Sequence, residues 1–283
     1  MIQVENLVYQ YPKSDGPVLK GLNFSIEKGE VFGFLGPSGA GKSTAQKILY
    51  KLLAGYQGAI RVDGRNLSEW GDEYFQKIGV GFEMPNHYQK LTGKENLDLF
   101  AAFYEKGQVP DLEKLFDMVD LKDAMDKPVE AYSKGMKMRL NFIRAIMHDP
   151  DILFFDEPTT GLDPVNAQKI RQHILDLKAA GKTIFVTTHS MHTADELCDR
   201  VSFIVDGELV ATDSPKSLKS QYGKEEVSVE LKTGDIQTFP LAAIGNNEAF
   251  MAFLQQGEVK RMRTLEASLE EVFIQITGKS LVV

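Results

Sequence analysis

Residues 36 to 44 read Gly36-Pro37-Ser38-Gly39-Ala40-Gly41-Lys42-Ser43-Thr44 and follow the apolar run Val31-Phe32-Gly33-Phe34-Leu35. The pattern G-x-x-x-x-G-K-S thus stands between an expected strand and a helix-forming segment, Ala45 to Leu53. No other feature of the chain narrows its fold as much. Glycines let successive backbone N–H groups turn inward around phosphate, a lysine reaches the terminal phosphates, and the serine hydroxyl suits a Mg²⁺ ion. The following helix adds the positive end of its dipole. At average composition the four fixed positions arise by chance in roughly one chain of this length in a hundred. The required strand and helix lower those odds further.

The bulk numbers set the remaining bounds. A chain of 283 residues, 43 % hydrophobic and 25 % charged, is enough for one large or two modest soluble domains. No apolar stretch approaches the roughly 18 residues of a membrane span, the segment Leu99 to Tyr104 being about as long as they get. The opening Met1-Ile2-Gln3-Val4-Glu5-Asn6 lacks the basic and apolar regions of a secretory signal. A chain that neither crosses nor enters a membrane by itself, in the cytoplasm, is therefore expected. The single cysteine, Cys198, suits a reducing compartment and reads as a small buried residue of a helix, Met191 to Asp199. A net charge of −8 and a pI near 5.3 argue against nucleic acid as the main partner, since phosphate-backbone binding needs a basic footprint. ATP is not excluded, because Mg²⁺ and the loop supply positive charge locally.

Along the chain, strand-like runs alternate with helical ones. Strands are expected at 4–8, 22–26, 31–35 and 58–64, and again at 151–156, 183–187, 201–206 and 208–211. Helices are expected at 93–106, 111–119, 134–148 and 164–180. That alternation implies an α/β sheet with a mostly helical insertion at about 85–148. Beyond 222 the texture changes. A half-exposed strand at 227–231 and helices at 248–255 and 268–277 follow a linker at 223–226. The predicted division is residues 1–222 as one domain and 223–283 as a small α+β accessory region.

Three further segments carry chemistry. Asp156-Glu157 ends an apolar strand and leads into Pro158-Thr159-Thr160-Gly161-Leu162-Asp163-Pro164. A strand-terminal Asp beside a phosphate loop can hold Mg²⁺, and a second carboxylate can polarise an attacking water. The same pair also fits a solvated strand end. His189 follows strand 183–187 and is either structural or a γ-phosphate contact. Ser133, in Tyr132-Ser133-Lys134-Gly135-Met136, is an ordinary helix N-cap or part of a second anion site with the Gly135 N–H.

Taken in order, the loop, the Ser-x-Gly helix start about ninety residues on, Asp-Glu twenty later and His thirty later resemble the nucleotide-binding subunit of an ABC transporter. The resemblance covers 1–222 and implies a P-loop NTPase fold with a parallel-core sheet, an antiparallel β subdomain and a helical subdomain. It implies an ATP hydrolase in which two such domains meet head to tail around two ATP molecules. Glu157 would then be the general base, Lys42 the Walker A lysine, Asp156 the Walker B magnesium residue and His189 the switch histidine. Ser133 and Gly135 would contact the γ-phosphate bound at Lys42 of the other subunit, Asp163 would be the D-loop residue, and Tyr11 would stack on adenine.

Two departures from the family pattern stand out. The signature, usually Leu-Ser-Gly-Gly-Gln, is Tyr-Ser-Lys-Gly-Met at 132–136, and Glu83 stands where the Q-loop normally has Gln. A carboxylate at position 83 can still ligate Mg²⁺ with Ser43 and Asp156, and it adds negative charge. The signature, with the ending Leu265-Glu266-Ala267-Ser268-Leu269-Glu270-Glu271-Val272-Phe273, resembles the drug, antibiotic and lipid exporter branch with separate membrane subunits. The partners implied are a polytopic membrane subunit, received at about 84–104, and a second nucleotide-binding subunit, identical or not. Exposed aromatics there, Tyr88 and Phe103, fit that surface and the core equally. The alternatives are a soluble ABC-type ATPase acting on ribosomes or nucleic acid, and a regulatory ATPase subunit.

Overall fold

The computed structural model describes residues 1–104, 111–222, 225–265 and 267–278. The expected helix end at 105–106, linker residues Gly223 and Lys224, and Glu266 lie outside the described residues. The chain divides into two units, Met1–Thr212 and Asp213–Val283.

In the first unit, β1 (Ile2–Tyr9) and β2 (Leu19–Ile26) pair antiparallel, with one face of each buried. β3 (Val31–Leu35) is buried at every residue, the pattern of a strand covered on both faces. It delivers the chain through the glycine-rich loop into α1 (Lys42–Leu49). β4 (Gln57–Val62) joins the other edge of β1, and β5 (Arg65–Asn66) completes a four-stranded sheet of order β2-β1-β4-β5. Asp63 and Gly64 both have positive φ, as the two-residue hairpin between β4 and β5 demands. After α2 (Glu73–Lys77), β6 (Ile78–Gly81) enters the second sheet.

A helical insertion follows: α3 (Gly93–Ala101), α4 (Leu112–Met118) and α5 (Lys134–Ile146). Each start is capped by a side chain, Thr92, Asp111 and Ser133 respectively. Then come β7 (Ile152–Asp156), α6 (Pro164–Ala179), β8 (Thr183–Thr188), α7 (Met191–Leu197), β9 (Arg200–Val205) and β10 (Glu208–Asp213). The second sheet has order β10-β9-β3-β8-β7-β6, with parallel pairing from β9 through to β6. Its strands read as continuous apolar runs because helices cover the faces.

Aromatic packing joins the two sheets. Phe24 of β2 lies 4.9 Å from Phe34 of β3, which lies edge-on at 4.9 Å to Phe185 of β8. Each such ring, fully buried, contributes about 1.5–3 kcal/mol by burial alone. The parallel strands share one polarity, so their C-terminal ends converge. Leu35 pairs with Thr188, and Asp156 with Thr187, placing the glycine loop, the carboxylate pair and His189 along one sheet edge.

The second unit contains α8 (Pro215–Tyr222), β11 (Glu226–Leu231), β12 (Ile236–Pro240), α9 (Glu248–Leu254), β13 (Val259–Leu265) and α10 (Leu269–Thr277). Its antiparallel sheet, order β12-β11-β13, packs Val227, Val229 and Leu231 against Phe239, Phe250 and Phe253. The division falls after Thr212 rather than after 222, because α8 packs with α10 of this unit. Among the described residues no helix is long and apolar enough to cross a membrane.

Candidate functional site

The glycine loop depends on what lies behind it. A Cβ at Gly36 would come within 2.1 Å of the Ile204 carbonyl oxygen on β9, so no side chain fits. Gly41 has φ +109 and would push a Cβ to 2.7 Å from Leu19. The backbone can therefore curl tightly onto the sheet edge and into α1. Lys42, buried at the first turn of α1, donates from Nζ to the carbonyls of Gly36 (2.6 Å) and Pro37 (3.0 Å). Burial lowers its pKa, while the charges of Glu157, Asp156 and Glu83 act the other way. Lys42 is thus a caged cation facing three carboxylates.

Ser43 Oγ donates to Asp156 Oδ1 at 3.2 Å, and the Thr187 hydroxyl donates to the same oxygen. The side chain of Gln46, buried one turn along α1, donates to the carbonyls of Phe155 (3.0 Å) and Phe185 (3.2 Å). That pair of bonds fixes the helix on β7 and β8. Glu157 has φ 50, a left-handed conformation that turns its side chain out of the strand course. It is 6 % exposed and both its oxygens are occupied. Oε1 accepts from the His189 backbone N–H (2.8 Å) and meets His189 Nδ1 at 2.7 Å. Oε2 accepts from the hydroxyls of Thr188 (3.1 Å) and Thr160 (3.2 Å).

These groups line a cleft of about 260 Å³ formed by Ser38, Gly39, Gly41, Lys42, Ser43, Thr44, Glu83, Asp156, Glu157 and His189. Gly36, Pro37 and Ala40 shape the loop from behind. Tyr11 does not line the cleft, but its hydroxyl lies 3.2 Å from Thr44 Oγ1 and its ring meets Tyr9 edge-on. The sequence reasoning missed Gln46, Thr160, Thr187 and Thr188. Only Gln46 carried a signal, a polar residue four positions after Lys42 on the face that α1 buries.

Ser133 and Gly135 lie elsewhere, at the start of α5 beside the Gly161–Leu162 turn that leads into Asp163. Ser133 is exposed and caps α5 by accepting from the Met136 N–H at 3.2 Å. An ideal Cβ at Gly135 would stand 3.5 Å from Leu162, the neighbour of Asp163. Asp163 caps α6 by accepting from the Val165 and Asn166 N–H groups, both at 3.1 Å. Its hydrogen bonds, that of the Asn166 side chain first, hold the carboxyl below its ordinary pKa. None of the three belongs to the cleft lining. Cys198 is buried and its thiol pKa is pushed up by burial, so it is inert packing as expected.

The donors in the cleft fit a hard divalent cation. Ser43, Asp156 and Glu83 offer oxygen only, as Mg²⁺ prefers. Among the described residues no group of three His, Cys, Asp or Glu side chains converges into a complete metal cage.

A second depression, about 610 Å³, opens between β6, the segment after it, the turn that follows α1, and helices α2, α3 and α5. Tyr88 and Phe103, at 57 % and 70 % exposed, are surface residues of this region rather than core.

The family model described as "ABC transporter" matches residues 19–160. A fluoroquinolones export ATP-binding protein of Mycobacterium tuberculosis is 49 % identical over 99 % of this chain and 94 % of its own length. The solved structure of an ATP binding subunit of an ABC transporter superposes with a TM-score of 0.71 at 28 % identity, covering 79 % of this chain and 93 % of its own. An ATP-binding cassette in a dimeric post-hydrolysis state, bound to ADP and Pi, gives 0.69 at 28 % identity over 76 % and 98 %.

Proposed function

Because this chain belongs to the ABC transporter family as an ATP-binding subunit, we propose that it hydrolyses ATP as half of a head-to-tail dimer docked on a polytopic membrane subunit. It is an ATP hydrolase that powers export, which disfavours a role on ribosomes or nucleic acid. The separation of Ser133, Gly135 and Asp163 from the cleft carries the proposal. Within one chain, Ser133 and Gly135 have no phosphate to contact, and a second copy would bring them over the first copy's cleft. Tyr11, whose hydroxyl lies 3.2 Å from Thr44 Oγ1, would stack on adenine next to the glycine loop.

The chain's own groups then divide the work. On nucleotide binding Lys42 exchanges its two carbonyl partners for phosphate oxygens. Ser43 and Asp156, with Glu83, would hold Mg²⁺, which when bound neutralises phosphate charge as it shifts in the transition state. A neutral imidazole has one N–H. While His189 gives it to Glu157, none remains for a phosphate. Turning toward the γ-phosphate frees Oε1 of Glu157 to accept a proton from the attacking water. The four bonds to Glu157 keep that carboxylate oriented before water arrives.

The membrane subunit would dock in the groove between the sheet and helical insertion, placing this chain peripherally at the cytoplasmic face of the membrane. Fluoroquinolones, named for the 49 % identical relative, are the compounds to test first. Glu157→Gln should accumulate an ATP-bound dimer with turnover down by about 10²–10⁴, read by ultracentrifugation and phosphate release. A fully active Glu157→Gln protein would sink the mechanism.

A further inference from the structure

The docking groove has a charge pattern that its apolar walls do not require. Leu52, Phe75, Phe82, Met84 and Phe100 make most of it. Leu52 and Met84 stay 62 % and 83 % exposed at the rim, so a small ligand would leave them wet and a chain segment would cover them. Among the thirteen residues that line it, two are basic, Lys51 and Arg144, and none is acidic. This is the opposite of the whole chain, whose net charge is −8.

Arg144 is the sharper anomaly. It is 8 % exposed, and its acceptors among the described residues, the Asn86 carbonyl (3.2 Å) and Asn141 Oδ1 (2.8 Å), are both uncharged. A guanidinium has five N–H donors. Its Cζ lies over the rings of Phe100 (4.8 Å) and Phe82 (5.7 Å), and no carboxylate of the described residues pairs with it. Burial lowers its pKa to about 10, the mark of a cation held without a counter-charge. A buried charge without a partner is costly unless one arrives. Lys51 Nζ is held on the Trp70 carbonyl at the same groove and adds positive potential.

We propose that the groove receives an apolar segment of the membrane subunit whose buried side carries an aspartate or glutamate, and that this carboxylate pairs with Arg144. The inference rests on the docking reading above and adds the chemistry of the partner. Apolar side chains fill the groove, and the acid sets register and partner choice, since a desolvated charge pair discriminates strongly against a mismatched partner.

The test uses the full chain in membranes of its native cells, with a photo-crosslinking phenylalanine analogue in place of Met84. Mass spectrometry of the product should identify an integral membrane protein and an acidic residue within one helical turn of the crosslinked position. Changing that acid to its amide should cut crosslink yield at least fivefold, as should Lys51→Glu, while ATP binding stays intact. Changing the acid to lysine should abolish yield even in the Lys51→Glu background, because the lysine then faces Arg144; recovered yield there would assign the acid to Lys51 and overturn the Arg144 pairing. Unchanged yield in both the amide and Lys51→Glu variants overturns the acidic anchor and leaves docking standing. A crosslink to a soluble protein, to a second copy, or to no integral membrane protein overturns the docking reading itself.

Discussion

His87 shows how one residue couples packing to pH. Its Nε2 lies 3.0 Å from the Lys137 carbonyl, which can only accept, so Nε2 carries the proton. Nδ1 is buried with no partner, and Arg144 stands nearby. Charging the ring would bury an unsatisfied N–H beside a cation. Burial, then Arg144, lowers the pKa from 6.5 to about 4. The folded state therefore refuses a proton that the unfolded chain accepts. Stability from this residue is complete above pH 6.5, falls as pH drops toward 4, and is flat below that. The loss is roughly 3 kcal/mol at 1.36 kcal/mol per pKa unit. Denaturant unfolding at pH 7.5 and pH 5 should show the decline in the natural chain and a smaller one in His87→Gln. Equal declines would place the acid sensitivity elsewhere. In the cleft, Lys42→Ala removes the cation that faces Glu157, Asp156 and Glu83. Its nucleotide affinity should fall at least tenfold, measured by titration with a fluorescent ATP analogue, with the fold unchanged by circular dichroism.

At the scale of elements, α5 carries two roles on one hydroxyl. Ser133 caps the helix in the isolated chain, and the proposed dimer asks it to meet phosphate. Asparagine caps as well as serine does, whereas alanine costs about 1 kcal/mol. Ser133→Asn should therefore keep the melting temperature and lose turnover, while Ser133→Ala should lose both. If Ser133→Asn hydrolyses ATP normally, the residue is a cap and nothing more. β3, β7 and β8 were legible because unbroken apolar runs bounded by turns have few other meanings. β6 was not, because Gly79 and Gly81 break its run. Yet a Cβ at Gly79 would lie 1.9 Å from the Ala145 carbonyl, so the close approach of α5 demands the residue that hides the strand. β12 and β13 escaped for another reason: both are sheet edges with mostly exposed side chains, and they lack the alternation that marks a half-buried strand. In the site, the loop, Asp156, Glu157 and His189 were found by spacing. Thr160, Thr187 and Thr188 were not, since threonine at a turn or strand end reads as ordinary β propensity until its hydroxyl is seen on a carboxylate.

For the whole molecule, the decisive question is whether a site spans two copies. Lys42 and Ser133 lie in separate clusters of one chain, so the two residues can be inactivated independently. Lys42→Ala and Ser133→Ala should each abolish turnover when pure, because every site of a head-to-tail dimer then lacks one group. Mixed in equal amounts, half the dimers pair one copy of each kind. In such a dimer one composite site carries both defects, and the other carries neither, since the intact Lys42 of one copy faces the intact Ser133 of its partner. If the sites work independently, the mixture should recover about a quarter of the natural activity after subunit exchange. That recovery requires composition across the interface, for neither variant contains a complete site alone. An inactive mixture would mean either that the sites fire only in concert or that identical copies do not pair. Crosslinking the mixture separates these, because paired but silent copies identify concerted sites, and unpaired copies send the search to a different second subunit.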